Sequence, residues 1–240
     1  MKALTVSVAL VAAAVLFSGL LGCANHKPKP YGQEFGLEMP GERQEVWAIA
    51  PTLNLSGASH VDPLLQSDLI YQELQKVQGL TVIPVNRVAE IYTALRIDKV
   101  QDEQQANEVC KLLGCDGLIV PTVTAYDPYN PPKMGAALQL FHRPQHAQQV
   151  DQVDPHELER SPTAGGLPEM TSAQHLLQAV GMFDAADGTM RARAAAYAAG
   201  RTDPNGPLAA QEIFLSMDRY CGFVYHELIE QLLEQLQPQT

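Results

Sequence analysis

A chain of 240 residues with 46% hydrophobic and 18% charged residues suits one sizeable domain with appendages, and 17 prolines with 17 glycines call for long irregular stretches. The net charge of −11 argues against a phosphate-neutralising nucleic-acid face and against non-specific docking on anionic lipid. No nucleic-acid partner is therefore expected.

The first residues read as a targeting segment. Lys2 gives a short positive start, residues 4–21 form an apolar run, and that run ends in Leu20-Leu21-Gly22-Cys23. A leucine pair, a small residue and then cysteine resembles the bacterial lipobox. There the leader is cut before the cysteine, whose thiol takes a diacylglycerol. The competing reading is an uncleaved anchor, because the run is nearly long enough to span a bilayer. On the lipobox reading residues 1–22 are the signal peptide and Cys23 is the lipidation site. The acyl chains then supply the membrane affinity, each buried CH₂ contributing about 0.8 kcal/mol. Ala24 stands where an aspartate would hold an enterobacterial lipoprotein at the inner membrane, so outer-membrane sorting is expected. Residues 23–44, with Pro28, Pro30 and Pro40, read as a flexible tether. At about 5–6 Å × √n such a tether lets the domain stand a few nanometres off the membrane.

Residues 45–240 are expected to form one globular domain. Residues 45–50 (EVWAIA) read as a strand stopped by Pro51, with Trp47 in the core or at a sheet edge. The loop over 52–61 lacks a glycine-rich phosphate fingerprint. Asp62 and Pro63 open a helix as N-cap and first residue. Its pattern puts Leu65, Leu69, Leu74 and Val77 inward, Gln66, Gln72, Gln75 and Lys76 outward, and a stop at Gly79. Residues 80–83 form a second strand, ended by Pro84. Asn86 is expected to cap a helix striped by Val88, Ile91 and Leu95. Asp102 caps a third, with Ala106, Val109, Cys110 and Leu113 inward and Gly114 at its end.

The run Leu118-Ile119-Val120 predicts a strand covered on both faces. Pro121 removes a ladder donor, which implies an edge-facing amide or a bulge there. Residues 122–126 carry the strand on, 127–132 must turn, and 134–141 pair back antiparallel. Tyr126, Tyr129, Pro131 and Pro132 flank or form this stiff turn. They are candidates for a partner-binding edge, the alternative being rings packed over the turn.

Residues 142–173 form a polar insert. His142, His146 and His156 have no spacing that fixes a metal geometry, and neither a metal nor a cofactor is expected. A further strand follows over 174–184. The turn at 184–188 lacks the ligand pattern of a calcium-binding EF-hand loop. A helix over 190–199 stops at Gly200. Arg191, Arg193 and Arg201 concentrate positive charge, either as an anionic-partner patch or as ordinary salt-bridging residues. One long helical pattern then covers 208–236, with Phe214, Met217, Cys221, Val224, Leu228 and Leu232 stepping by three or four. Its breadth predicts packing on the protein's own sheet. The fold class is thus α/β (α+β), a mixed β-α-β-α-α-β-β-β sheet with helices packed on it and a long C-terminal helix. Cys110, Cys115 and Cys221 remain after lipidation. A bridge between the first two is conceivable, and three buried free thiols are the simpler alternative.

The stretch 46–51, the Pro51-Thr52-Leu53-Asn54-Leu55-Ser56-Gly57 step and Leu113-Gly114-Cys115-Asp116 together resemble a domain shared by three families. These are the N-terminal part of the TolB translocation protein, the curli-secretion channel lipoprotein, and the B-type lipoprotein activators of penicillin-binding proteins. The resemblance covers roughly residues 45–126 and, in element order, reaches 236. Two features depart from it: Pro121 replaces the usual glycine, and the insert is too polar for the membrane-spanning hairpins of a channel. The resemblance implies a fold more than a function. It points to an envelope protein-binding module anchored by its lipid. A subunit of an oligomeric secretion or pore complex is the alternative. An enzyme is not expected, since no Gly-x-Ser-x-Gly, His-Glu-x-x-His or convergent carboxylate pair is present.

Overall fold

The computed structural model describes residues 36–41, 44–143 and 175–237. The leader, the lipobox and nearly all of the insert lie outside them. The chain divides into two units after Pro30, and every described residue belongs to the second.

A single mixed sheet organises the domain. Strand β1 (Glu45–Ile49) lies between β3 (Leu80–Ile83) and β4 (Gly117–Asp127), parallel to both. The two-residue β2 (Leu53–Asn54) continues beside β4 where β1 leaves off. Strands β5 (Lys133–His142) and β6 (His175–Asp184) extend the sheet antiparallel, giving the order β3-β1-β4-β5-β6. Helical crossovers permit the parallel half, and the tight turn over 128–132, with a cis Asn130–Pro131 bond, permits the antiparallel half.

Two helical layers cover the sheet. On one face α1 (Pro63–Leu74), α4 (Gly188–Ala198) and α5 (Met217–Leu236) bury Trp47, Ile49, Ile119, Leu138 and Leu140. On the other, α2 (Val85–Leu95) and α3 (Glu103–Leu113) bury Ala48, Leu118 and Val120. The end of β1 and the first half of β4 are therefore dry on both sides, as the unbroken apolar run of β4 requires. No helix among the described residues is long and apolar enough to cross a membrane.

Pro121 sits in the middle of the sheet, yet its missing donor costs nothing. The carbonyls of Ile119 and Val123 accept from Ala50 and Leu55 on the β1–β2 side. By alternation the Pro121 nitrogen points the same way, into the gap between those two short strands. The bulge lies further on, between Val123 and Ala125.

Asp116 fixes where β4 begins. Its carboxylate Oδ2 accepts the Val46 N–H at 2.9 Å and its own N–H donates to the Val46 carbonyl at 2.7 Å. Its carbonyl takes the Arg143 N–H at 2.7 Å, which closes the far end of β5. Gly117 follows because a Cβ there would lie 2.9 Å from both Leu140 and Trp47.

Several elements differ from the sequence-based expectation. Gln66 does not face outward: it is buried, and its Oε1 accepts the Tyr225 hydroxyl at 2.6 Å. The inward face of α1 is rotated accordingly, with Ile70, Glu73 and Leu74 buried and Leu65 exposed. Asn86 does not cap α2. Extended Pro84 (φ −71°, ψ 158°) is the N-cap, and Asn86 accepts only from the next residue, Arg87. The long C-terminal pattern is broken by extended Ser216 (φ −122°, ψ 115°) into a 3₁₀ helix (Ala209–Phe214) and α5, which lets Ile213 and Phe214 turn into the core. His142 ends β5, with its Nε2 3.0 Å from the Glu45 carboxylate. The tether is pinned before residue 44: Met39 is buried and donates its N–H to the Gln78 carbonyl at 2.9 Å.

Asp116→Ala removes the acceptor of a buried N–H, so the domain should lose roughly 1–3 kcal/mol of stability in urea unfolding. Asp116→Asn, which keeps an acceptor oxygen, should recover most of it. Equal losses in the two variants would show that the carboxylate's hydrogen bond to Val46 is not what matters.

Candidate functional site

Helices α1, α4 and α5 meet at a polar cluster inside the larger core. Glu73 of α1 is 5% exposed. Its Oε1 accepts the Lys76 ammonium and the Tyr197 hydroxyl, each at 2.7 Å, while Oε2 faces His226 Nδ1 at 3.7 Å. Gly222 makes this approach possible, because a Cβ there would lie 3.3 Å from the Tyr197 hydroxyl and 3.4 Å from Glu73 Oε1. Burial first, then the Glu73 charge and hydrogen bond, push the Tyr197 phenol up, so it stays a neutral donor. A cleft of about 290 Å³ opens beside the cluster, lined by Lys76, Arg201, Asp218 and Arg219 among others.

The cations of the cleft already have acceptors. Arg219 binds Glu212 at 2.9 Å, and Arg201 stacks over the Tyr197 ring at 4.0 Å while donating to that residue's carbonyl at 2.9 Å. Among the described residues no group of histidines, cysteines and acids is placed to hold a metal. The cluster binds three helices together. Glu73, Tyr197 and Gly222 were not singled out from the sequence. The available signals were a glycine within the apolar stripe of α5 and an acid three residues after Ile70.

The residues that were singled out fall into three places. The turn exposes Tyr129 (80%) and Pro131, whereas Pro132 is buried and its carbonyl accepts the Ala185 N–H at 3.0 Å. Tyr126 is half-buried, edge-on to His60 with ring centroids 5.3 Å apart, and burial pushes its phenol up to about 12. Arg191 lies 4.5 Å over the Phe214 ring and reaches the Ala185 carbonyl at 3.5 Å, so it shares the turn's end of the sheet. Arg193 points elsewhere and pairs with the buried Glu227. Cys23, Leu20, Leu21 and Gly22 lie outside the described residues.

A second surface had no counterpart in the sequence reading. Helices α2 and α3 cover their face of the sheet only as far as β4 and the Phe141 end of β5. Beyond that limit β6 presents Leu176, Val180 and Met182, exposed at 54%, 59% and 54%. Their neighbours Leu177, Ala179 and Phe183 pack into the core on the opposite face. Among the described residues β6 pairs only with β5, so its outer edge is open apart from the Gln178 carbonyl, which accepts Gln235 Nε2 at 3.0 Å.

No protein-family model and no curated protein matches the chain. Among solved structures it is similar to the C-terminal domain of LpoB from Salmonella enterica, with 11% identity over 42% of this chain and 74% of that one, at a TM-score of 0.35. It is similar to a lipoprotein from Neisseria meningitidis, with 18% identity over 41% and 69%, at a TM-score of 0.33. It is also similar to PelC from Paraburkholderia phytofirmans, solved as a dodecamer, with 9% identity over 85% and 95%, at a TM-score of 0.33.

Burial first, then Asp218, pushes the Cys221 thiol from 9.0 up to about 12. The fold therefore keeps a proton that the unfolded chain releases above pH 9. This stabilisation is complete below that pH and is lost as pH rises toward 12. Unfolding midpoints should fall between pH 9 and 11, and fall less steeply in Cys221→Ala, the difference approaching about 1.4 kcal/mol per pH unit. Parallel slopes would mean that the thiol titrates normally.

Proposed function

We propose that this chain is a lipoprotein anchored through Cys23, facing the periplasm from the outer membrane, and that it serves as a protein-binding accessory module of the cell envelope. Two features support the reading independently. The Leu20-Leu21-Gly22-Cys23 sequence after an apolar leader supports the anchor. Among the described residues nothing covers this side of β6, which supports the binding role and is the observation that carries it.

An apolar stripe of Leu176, Val180 and Met182 beside an open strand edge is what an extended polypeptide segment needs. Its backbone can add a strand to β6, and alternate apolar side chains can cover the stripe. Isolated apolar residues on a surface need no explanation, but three in register on one strand do. Tyr129 and Pro131, in the turn between β4 and β5, are the second contact we assign to a partner. Arg191 and Arg193 already serve internal acceptors and fit a structural role.

Site-specific photo-crosslinking at Gln178 in membranes tests the proposal. The expected result is one envelope protein captured by the wild type, and lost both in Cys23→Ser and in Val180→Glu. Val180→Glu should shift stability by no more than about 0.5 kcal/mol, since the side chain is already in water. Leu65→Glu, exposed on α1, should leave the capture intact. Capture that survives Val180→Glu removes β6 from the interface. A ladder of self-crosslinks with no other partner makes the chain an oligomer subunit instead.

A further inference from the structure

Cys110 and Cys115 stand on either side of the stop that ends α3. Gly114 takes the left-handed conformation (φ 67°), and the N–H groups of both Gly114 and Cys115 return to the Cys110 carbonyl, the latter at 3.0 Å. This is the six-to-one closure of a Schellman turn, which brings the side chain after the glycine against the one at the start of the last turn. In most helices that contact joins two hydrophobic residues. Here both partners are cysteines, each 1% exposed and both packed in the core beneath α2 and α3. The two thiols share a hydrogen bond, which together with burial holds Cys110 protonated. Cys221 lies in the core on the opposite face of the sheet and cannot reach either of them.

We infer that Cys110 and Cys115 join in an intramolecular disulfide in the exported protein. The inference rests on the proposed export, because an oxidising compartment is where such a pair closes and persists. The bond forms by exchange with an external disulfide. One cysteine thiolate attacks it and releases one thiol, and the second cysteine displaces the other from the mixed disulfide. One sulfur–sulfur bond replaces two S–H bonds, and the external disulfide leaves as two thiols carrying the electrons and protons.

The burial sets the timing. A protonated, dry thiol is a poor nucleophile, so exchange belongs to the stage before α3 docks on β4. Once closed, the bond is sealed from reductant until the domain opens.

Trypsin provides a direct readout, because Lys111 lies between the two cysteines. Full-length protein from the membrane fraction is denatured, alkylated without reductant and digested. The expected product is peptide 100–111 linked to peptide 112–133, separating on reduction. In Cys110→Ser, peptide 112–133 should appear alone with Cys115 alkylated. Alkylation of both cysteines in wild-type protein recovered from the envelope overturns the inference while leaving the export reading intact. If fractionation instead finds the chain in the cytoplasm, the export reading fails, and the full chain is refolded with glutathione disulfide. Failure to link there overturns the geometric argument itself.

Discussion

The position of β1 between two parallel neighbours depends on Asp116. A parallel pair has no hairpin to set its register, so something must fix where the returning strand begins. Asp116 does so with three hydrogen bonds, to the Val46 N–H, the Val46 carbonyl and the Arg143 N–H. Gly117 then seats β4 against Trp47, and Trp47 donates its indole N–H to Glu45 at 2.7 Å. A slip of one residue would exchange the two faces of β4 and drive Leu118 and Ile119 into each other's cores. Both helical layers take their places from this register.

Polar contacts of the same kind join the helices to one another. Gln66 with Tyr225, Ser67 with Thr52, and Glu73 with Tyr197 all cross between segments distant in sequence or anchor α1 to the end of β1. Buried polar groups must be satisfied, and each such pair rejects alternative packings in which it would be left alone. The domain therefore has a dry apolar interior whose helix positions are set by a few specific hydrogen bonds.

Much of the architecture was legible in the sequence. Asp62 with Pro63, Asp102 with Gly114, and the Leu118–Val120 run each carry local signals strong enough to place an element. The failures share one cause. Gln66 and Glu73 are polar residues buried by partners more than a hundred residues away, and no local periodicity encodes such a partner. The break at Ser216 escaped notice because the 3₁₀ turn and α5 continue the same apolar spacing across it. The turn residues Tyr126, Tyr129, Pro131 and Pro132 were found by their chemistry, but only the structure separates exposed Tyr129 from buried Pro132. The exposed face of β6, which no described residue covers, was invisible for a different reason: a period-two pattern does not say whether its second face has a cover.

The sheet gives the domain two poles. Residue 44 leads into β1 at the end where His142 closes β5 and His175 opens β6, so the preceding chain and the segment between β5 and β6 connect at one pole. The Tyr129 turn stands at the other, a ten-residue strand away, or roughly 30 Å. On the proposed lipid-anchored reading this polarity divides the work by height. The segment between β5 and β6 connects at the pole where residue 44 enters, the turn belongs to the far pole, and β6 runs from one level to the other as a rail whose outer edge is open among the described residues apart from the Gln178 carbonyl. A single extended partner lying along that rail would span the depth of the domain in one contact.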